Sequence, residues 1–419
     1  MIKTSMKKSF LIFLLVLLAL NSLFAADKLV SWMDASSLKE AYAGKIDYIG
    51  VAVPYTQWPS NKQILPSASV QAGMKRHFSS FTMENEMKPD SILGTYLGEP
   101  ESFEDFTDSY GTTIKVPNKQ LQFWTVDQCL SIAKKNGLKM RGHVLVWHSQ
   151  TADWFFKENY KSSGKFVDKA TMTARQEWYI KSVLEHIKAW EDNNNNGKRI
   201  VYCWDVVNEA ANDSGTKLRD NGSKWYSIYK SDEFIVNAFR FANKYAPKDV
   251  LLAYNDYNEC MSNKRAMIIQ IIKSVKSHEK DAKLPTRIDV MGMQSHIKHD
   301  NPSIAEYERT IQMYLANGVD VHITEIEIAS MSKKDAENPE KLKQSYKDTF
   351  EMYLRNAKKI DKNGISSVTF WGLHDGVTWL NVPSNGQLQW LNNVYQYPLI
   401  FDENLNAKPA FYGVLEAAK

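Results

Sequence analysis

Glu209 and Glu325 draw attention first, because each closes a β-branched run and each has amide or acid groups beside it. Glu209 ends Trp204-Asp205-Val206-Val207-Asn208-Glu209, and Glu325 lies in Ile323-Thr324-Glu325-Ile326-Glu327. Two carboxyl groups facing one bond can hydrolyse a glycosidic linkage if one keeps its proton near neutral pH and the other stays charged. An amide next to the acid, as Asn208 is to Glu209, can hold a substrate hydroxyl while the proton moves. The competing reading of Asn208-Glu209 is a helix N-cap. Other runs end in groups of the same kind: Glu84-Asn85-Glu86-Met87-Lys88, His143 to Gln150 with Trp147 and His148 between, Asn255-Asp256-Tyr257, Gln294-Ser295-His296, and Trp371 with Trp379 after it. Each alone is weak. Together they weigh more, because clustering polar side chains at the ends of apolar runs is costly unless they have partners or a task.

Other chemistries fit poorly. H-E-x-x-H is absent, and His143 and His148 are five residues apart on or near a strand, so they point to opposite faces. His296 and His299 lack an obvious third ligand, and no metal or cofactor is expected. No G-x-S-x-G elbow, G-x-G-x-x-G or G-x-x-x-x-G-K-[ST] occurs.

The elements that must position these groups follow a rhythm. Strands are predicted at Tyr48–Val53, Phe78–Met83, Lys139–Val146, Val201–Val207, Val250–Tyr254, Ile288–Gln294, Val321–Ile326 and Val368–Trp371. Helices are predicted at Val126–Lys135, Ala174–Trp190, Asp232–Tyr245, Lys264–His278, Ile304–Ala316 and Pro339–Lys359. Asn136-Gly137 and Asn317-Gly318 follow helices where a C-cap belongs. Eight alternations without a linker predict a (β/α)8 TIM barrel, with function at the C-terminal ends of the strands. An open doubly wound sheet would want a glycine-rich phosphate loop, which is missing. Two long stretches, Leu97–Pro117 and Gly372–Pro398, are predicted as loops on the catalytic face, and Asn193–Asn196 as a solvated turn on the opposite one.

The chain has 419 residues, 12 Trp and 20 Tyr. Aromatic faces suit flat ligands, although filling a core is the commoner use. Lys3, Lys7 and Lys8, the apolar run Phe10–Leu20 and the small pair Ala25-Ala26 form a secretory signal pattern, which sets residues 1–25 apart from a catalytic domain at 26–419. The run is too short to span a bilayer comfortably. Losing three lysines with the signal lowers the net charge from +4 to +1. A nearly neutral chain argues against nucleic acid as a partner. Cys129, Cys203 and Cys260 form no disulfide framework or zinc motif.

From about Tyr48 to about Leu415 the chain resembles glycoside hydrolase family 10, the endo-β-1,4-xylanases. The matching stretches are Glu84-Asn85-x-Met87-Lys88, Gly142-His143-x-Leu145-Val146-Trp147-His148-Ser149-Gln150, Trp204 to Glu209, Gln294-Ser295-His296, Ile323-Thr324-Glu325, Phe370-Trp371-Gly372, Pro398-Leu399-Ile400-Phe401-Asp402 and Lys408-Pro409-Ala410. The resemblance implies a retaining double displacement on xylan and xylo-oligosaccharides, with Glu209 as general acid/base and Glu325 as nucleophile. It also implies that Asn208 holds the sugar 2-hydroxyl, that His143, Lys88 and Gln294 surround the cleaved sugar, and that His296 hydrogen-bonds the nucleophile. Glu84, Asn85, Gln150 and Trp371 would line the neighbouring subsite on the non-reducing side. Trp147 and Trp379 would wall the point of cleavage, and Asn255 and Tyr257 would face the other side of the bond. Two departures stand out. Glu327 replaces the aspartate usual two residues after the nucleophile, and its charge pair with His296 is expected to survive. Leu97–Pro117 and Gln387–Gln396 are longer than is usual. The expectation is a secreted monomeric endo-xylanase; the alternatives are a β-1,4-glucanase of the same fold and a catalytically silent carbohydrate-binding barrel.

Overall fold

The computed structural model describes residues 29–57 and 60–419. The signal pattern therefore lies outside the described residues. Eight strands, β1 (Tyr48–Val53), β2 (Ser80–Met83), β3 (Lys139–Trp147), β4 (Val201–Asn208), β5 (Leu251–Asp256), β6 (Val290–Met293), β7 (Asp320–Ala329) and β8 (Ile365–Phe370), pair in parallel, each with the next. β8 pairs with β1 and closes the ring. Both faces of these strands are buried, which explains their near-continuous Val, Ile, Met and Phe content. Eight helices form the outer layer: α1 (Ala68–His77), α2 (Trp124–Asn136), α3 (Lys169–Asn194), α4 (Glu233–Tyr245), α5 (Ser262–Ser277), α6 (Ile304–Leu315), α7 (Pro339–Arg355) and α8 (Pro409–Ala417). The predicted (β/α)8 architecture is the observed one.

Local signals set several helix ends. Ser303 caps α6 by accepting the Glu306 N–H, and Asn338 caps α7 ahead of Pro339. Gly137 ends α2 at φ 66° and Gly318 follows α6 at φ 75°, both in the left-handed region. Helices α1 and α8 were not predicted: α1 carries a mid-helix Gly73, and α8 is apolar nearly all round, so neither shows a clear stripe.

The prediction for Leu97–Pro117 needs correction. Phe103–Thr107 and Thr113–Pro117 pair as an antiparallel hairpin around an Asp108–Thr112 turn, in which Asp108 Oδ1 accepts the Tyr110 and Thr112 N–H groups. Its exposed Glu, Asp, Thr and Lys residues hid the strand signal, since both strands lie on the surface. The open end of the hairpin packs on Tyr160 in the loop after β3, and its tip runs away from the strand ends. Its tip is held against the outer wall, where the Ser109 N–H donates to Glu177 of α3 (2.8 Å) and Tyr110 meets Phe241 of α4 edge-on. Tyr160 donates its hydroxyl to the Lys115 carbonyl at 2.8 Å. The Gly372–Pro398 stretch consists of single helical turns and one short helix at Gln387–Trp390.

Close packing on the outward face of the strands, under the helix layer, leaves no room at Gly142. A Cβ built there would lie 2.3 Å from the Trp204 ring. Gly142→Ala is expected to destabilise the protein by about 1–3 kcal/mol through forced displacement of that indole. Urea unfolding of the two proteins measures the loss, and matching midpoints would contradict the packing argument.

Candidate active site

The upper part of the barrel interior is polar, and its floor is charged. Arg141 of β3 donates from Nε to Asp205 Oδ2 of β4 at 3.0 Å, and from Nη1 to His322 Nδ1 of β7 at 2.7 Å. His143 Nδ1 lies 2.9 Å from the same Asp205 oxygen. The Arg141 and Asp205 side chains are both about 1% exposed, so each is the other's compensation. Burial alone would raise the Asp205 carboxyl; Arg141 and His143 outweigh it and hold the group down at about 2.

Above this floor the strand ends present a web of amides. Asn255 of β5 donates from Nδ2 to Asn208 Oδ1 (3.0 Å) and to Glu325 Oε1 (3.0 Å), while its own Oδ1 accepts from Thr324 (2.7 Å). Gln294, just past β6, donates from Nε2 to Glu209 Oε1 (2.9 Å) and Asn208 Oδ1 (3.3 Å). Asn208, Asn255 and Gln294 thus connect the two glutamates through four contacts of 2.9–3.3 Å. The Trp147 indole N–H donates to Glu209 Oε2 at 2.8 Å.

Glu209 does not cap a helix, since the next helical turn begins at Lys224. Its backbone is left-handed, φ 57°, a costly conformation for a residue with a Cβ. Two bonds hold it there: its N–H donates to the Asn255 carbonyl, and its own carbonyl accepts from Arg219 Nε at 3.0 Å. Arg219 also donates to the Ala211 carbonyl, to Asp213 (2.8 Å) and to the Tyr257 hydroxyl (3.0 Å).

The surroundings push the two carboxyl groups apart. Burial raises Glu209 above the ordinary range, helped by the negative charges of Asp256 and Glu325 and opposed by the Gln294 and Trp147 bonds. Burial would raise Glu325 too, but the hydrogen bond from His296, the fields of His143 and His296, and the Asn255 amide bring it below the ordinary value. His296 is held between two carboxylates, with Nε2 3.3 Å from Glu325 Oε2 and Nδ1 2.8 Å from Glu327 Oε1. Burial lowers an imidazole, yet this pair of partners raises His296 to about 10, so the ring is a cation at neutral pH. Trp379 donates its indole N–H to the same Glu327 oxygen at 2.7 Å. The longer side chain at position 327 therefore still reaches the imidazole.

The remaining predicted residues surround this pair. Lys88 donates to Asn85 Oδ1 (3.1 Å) and sits 5.1 Å above the Trp147 ring; Gln150 reaches the same Asn85 oxygen at 3.4 Å. Glu84 is raised to about 8, first by burial and then by Glu86. Trp371 meets His143 edge-on at 5.6 Å. Tyr257 stands on the Glu209 side, against Asp213, Arg219 and Lys264. Asn255 departs from expectation. It is fully buried and its amide is used within the web, so it presents no face across the bond.

Sequence reasoning passed over Arg219, Arg141 and Asp205 as site residues. Asp205 lies inside a quoted motif, and Arg141 directly precedes another at Gly142. Arg219 sits in a polar loop with no periodic pattern, and nothing local marks it. Among the described residues no group of three His, Cys, Asp or Glu side chains is arranged to hold a metal.

The family model described as glycosyl hydrolase family 10 matches residues 37–417. Endo-1,4-beta-xylanase B of Butyrivibrio fibrisolvens is 35% identical over 386 residues, 91% of this chain but 53% of that protein, so the chain spans about half of that relative's length. Endo-1,4-beta-xylanase of Geobacillus stearothermophilus is 34% identical over 390 residues, covering 90% of this chain and 98% of that one. Among solved structures, the CBM22-1 and GH10 modules of endo-1,4-beta-D-xylanase 10B from Clostridium thermocellum, complexed with xylohexaose, align with a TM-score of 0.72 at 30% identity, over 91% of this chain and 67% of that one.

The His296 pair makes a signed prediction. Because His296 is raised from 6.5 to about 10, the stability it contributes is full below about pH 6.5 and is lost as pH climbs through about 10. Glu327→Gln removes one of its carboxylates, so the imidazole should titrate at lower pH, read from its ring-proton NMR shifts. The stability gap between parent and variant should narrow from pH 6 to pH 10. A His296 titration unmoved by the substitution would contradict the pairing.

Proposed function

The chain belongs to glycosyl hydrolase family 10, and on that premise we propose that it is an endo-1,4-β-xylanase that cleaves the xylan backbone with retention of anomeric configuration. The observation that carries this reading is the opposite biasing of Glu209 and Glu325 within one amide web. A retaining enzyme needs one carboxyl that keeps its proton and one that stays charged, both reaching a single linkage.

In the first step Glu209 gives its proton to the leaving oxygen while Glu325 attacks the anomeric carbon. The bond to the leaving sugar breaks, and a glycosyl ester of Glu325 forms. In the second step Glu209, now a carboxylate, takes a proton from water; the water oxygen bonds to the anomeric carbon and Glu325 leaves. The His296 cation keeps Glu325 ionised before attack and eases its departure afterwards. Asn208, fixed by Asn255 and Gln294, meets the sugar 2-hydroxyl. Lys88, His143 and Gln294 border the cleaved sugar, Glu84, Asn85, Gln150 and Trp371 the next one on the non-reducing side, and Trp147 and Trp379 flank the cleavage point. Tyr257 borders the leaving side. The names of the similar xylanases support the substrate class. The N-terminal signal pattern supports export, and the enzyme works as a monomer without a cofactor.

Glu209→Ala and Glu325→Ala should each lower kcat on an aryl xylobioside on the order of a thousandfold or more. Parent-like turnover in both would sink the assignment. Reducing-sugar release should favour xylan over carboxymethyl-cellulose, and proton NMR should show the β-anomer first. A preference for the cellulose derivative would remove the substrate claim and leave retention standing.

The kcat profile should be bell-shaped, with an acid limb set by lowered Glu325 and an alkaline limb set by raised Glu209. The Trp147 bond opposes the rise of Glu209. Trp147→Phe should therefore move the alkaline limb to higher pH, and a shift in the other direction would refute the assignment of that limb.

A further inference from the structure

Two aromatic rings stand on the strand-end rim beyond the site, outside any role given above. Tyr55 lies two residues past the end of β1, and Trp124 is the first residue of α2, whose N-terminal end faces the same rim. Their ring centroids are 5.9 Å apart at an interplanar angle of 76°, so the tyrosine meets the indole edge-to-face. Trp124 nevertheless remains 64% exposed. Tryptophan is seldom left so open, because wetting a large apolar ring is unfavourable. A rigid, exposed indole supported on one side is suited to a flat partner that presents an apolar face.

The position is tied to the cleft. Glu86 Oε1 accepts the Tyr55 N–H (2.6 Å) and the Thr56 N–H (3.3 Å), and its Oε2 accepts the N–H of Asn85 (3.2 Å). The β1 loop that carries Tyr55 is therefore fastened to the residue next to Asn85. The Asn85 side chain in turn binds Lys88 and Gln150 at the sugar position bordered by Glu84. On the other flank Tyr96, 74% exposed, donates its hydroxyl to Gln122, two residues before Trp124. Exposed aromatic rings thus stand at the rim beside the Glu84–Asn85 position.

We propose that Trp124, supported edge-on by Tyr55, is a stacking platform for a further xylosyl residue beyond the Glu84–Asn85 position, which extends the groove by an outer subsite on the non-reducing side. The axial C–H groups of a β-linked pyranose form an apolar face that an indole can cover, while its hydroxyls stay in water. A polymer arriving from the groove would reach this ring, and a trimer centred on the cleavage point would not. The proposal rests on the xylan reading of the cleft.

Calorimetric titration with xylotriose and xylohexaose, in a Glu325→Gln background that prevents turnover, separates the two. Trp124→Ala should weaken xylohexaose binding roughly tenfold and leave xylotriose affinity within about twofold, while Trp124→Phe should keep most of the xylohexaose affinity. KM for xylohexaose in the otherwise native enzyme should rise to match, with kcat little altered. Equal xylohexaose affinity with and without the indole would overturn the proposal, as would an equal loss on both sugars, which reports a disturbed groove. A parent that binds neither oligosaccharide marks failure of the xylan reading itself, seen before any substitution at Trp124 is made.

Discussion

The imidazole of His296 is the part on which the rest of the site depends. It stands between Glu325 and Glu327 and is held as a cation by both. Without that positive charge Glu325 would be one more buried carboxyl, and burial pushes buried carboxyls toward the neutral form. Glu209 shows that outcome. It is partly buried, has neutral amide and indole donors and, among the described residues, no cation in hydrogen-bond contact, and burial raises it. Two residues of one type are therefore biased in opposite directions, because one has an imidazolium at its oxygen and the other does not.

That contrast needs both groups fixed near each other, and the closed sheet supplies the fixing. Asn208, Asn255, Gln294 and Glu325 come from four strand ends, β4 to β7, and each is placed by parallel pairing with its neighbour. Beneath them the Arg141–Asp205 pair joins β3 to β4 and reaches β7 through His322. Breaking such a pair would leave an uncompensated charge in the interior, so the floor resists rearrangement. The left-handed backbone at Glu209 is tolerated for the same reason: bonds from β5 and from Arg219 fix it from both sides.

The outer parts of the molecule follow different rules. The Phe103–Pro117 hairpin lies along α3 and α4, with its tip bound to a carboxylate that is about 1% exposed, Glu177. The Gly372–Pro398 stretch stays at the rim, where Trp379 reaches Glu327. Buried Gln396 ties its end to the Ser330 backbone beyond β7 with bonds of 2.8 and 3.0 Å.

Much of this was legible in the chain itself. Strands buried on both faces read as apolar runs and helices as amphipathic stripes, so eight alternations predicted a ring, and the residues after each run were the ones gathered at its mouth. Glu209 and Glu325 could be paired because β4 and β7 carry strong local patterns. What sequence could not supply was protonation, which depends on groups far apart in the chain: His296 and Glu327 are 31 residues apart, and Arg141 and His322 are 181. The inward use of Asn255, the support from Arg219 and the course of the hairpin were also decided by packing. Periodicity is a property of neighbours along the chain, whereas charge state, burial and strain are set by neighbours in space.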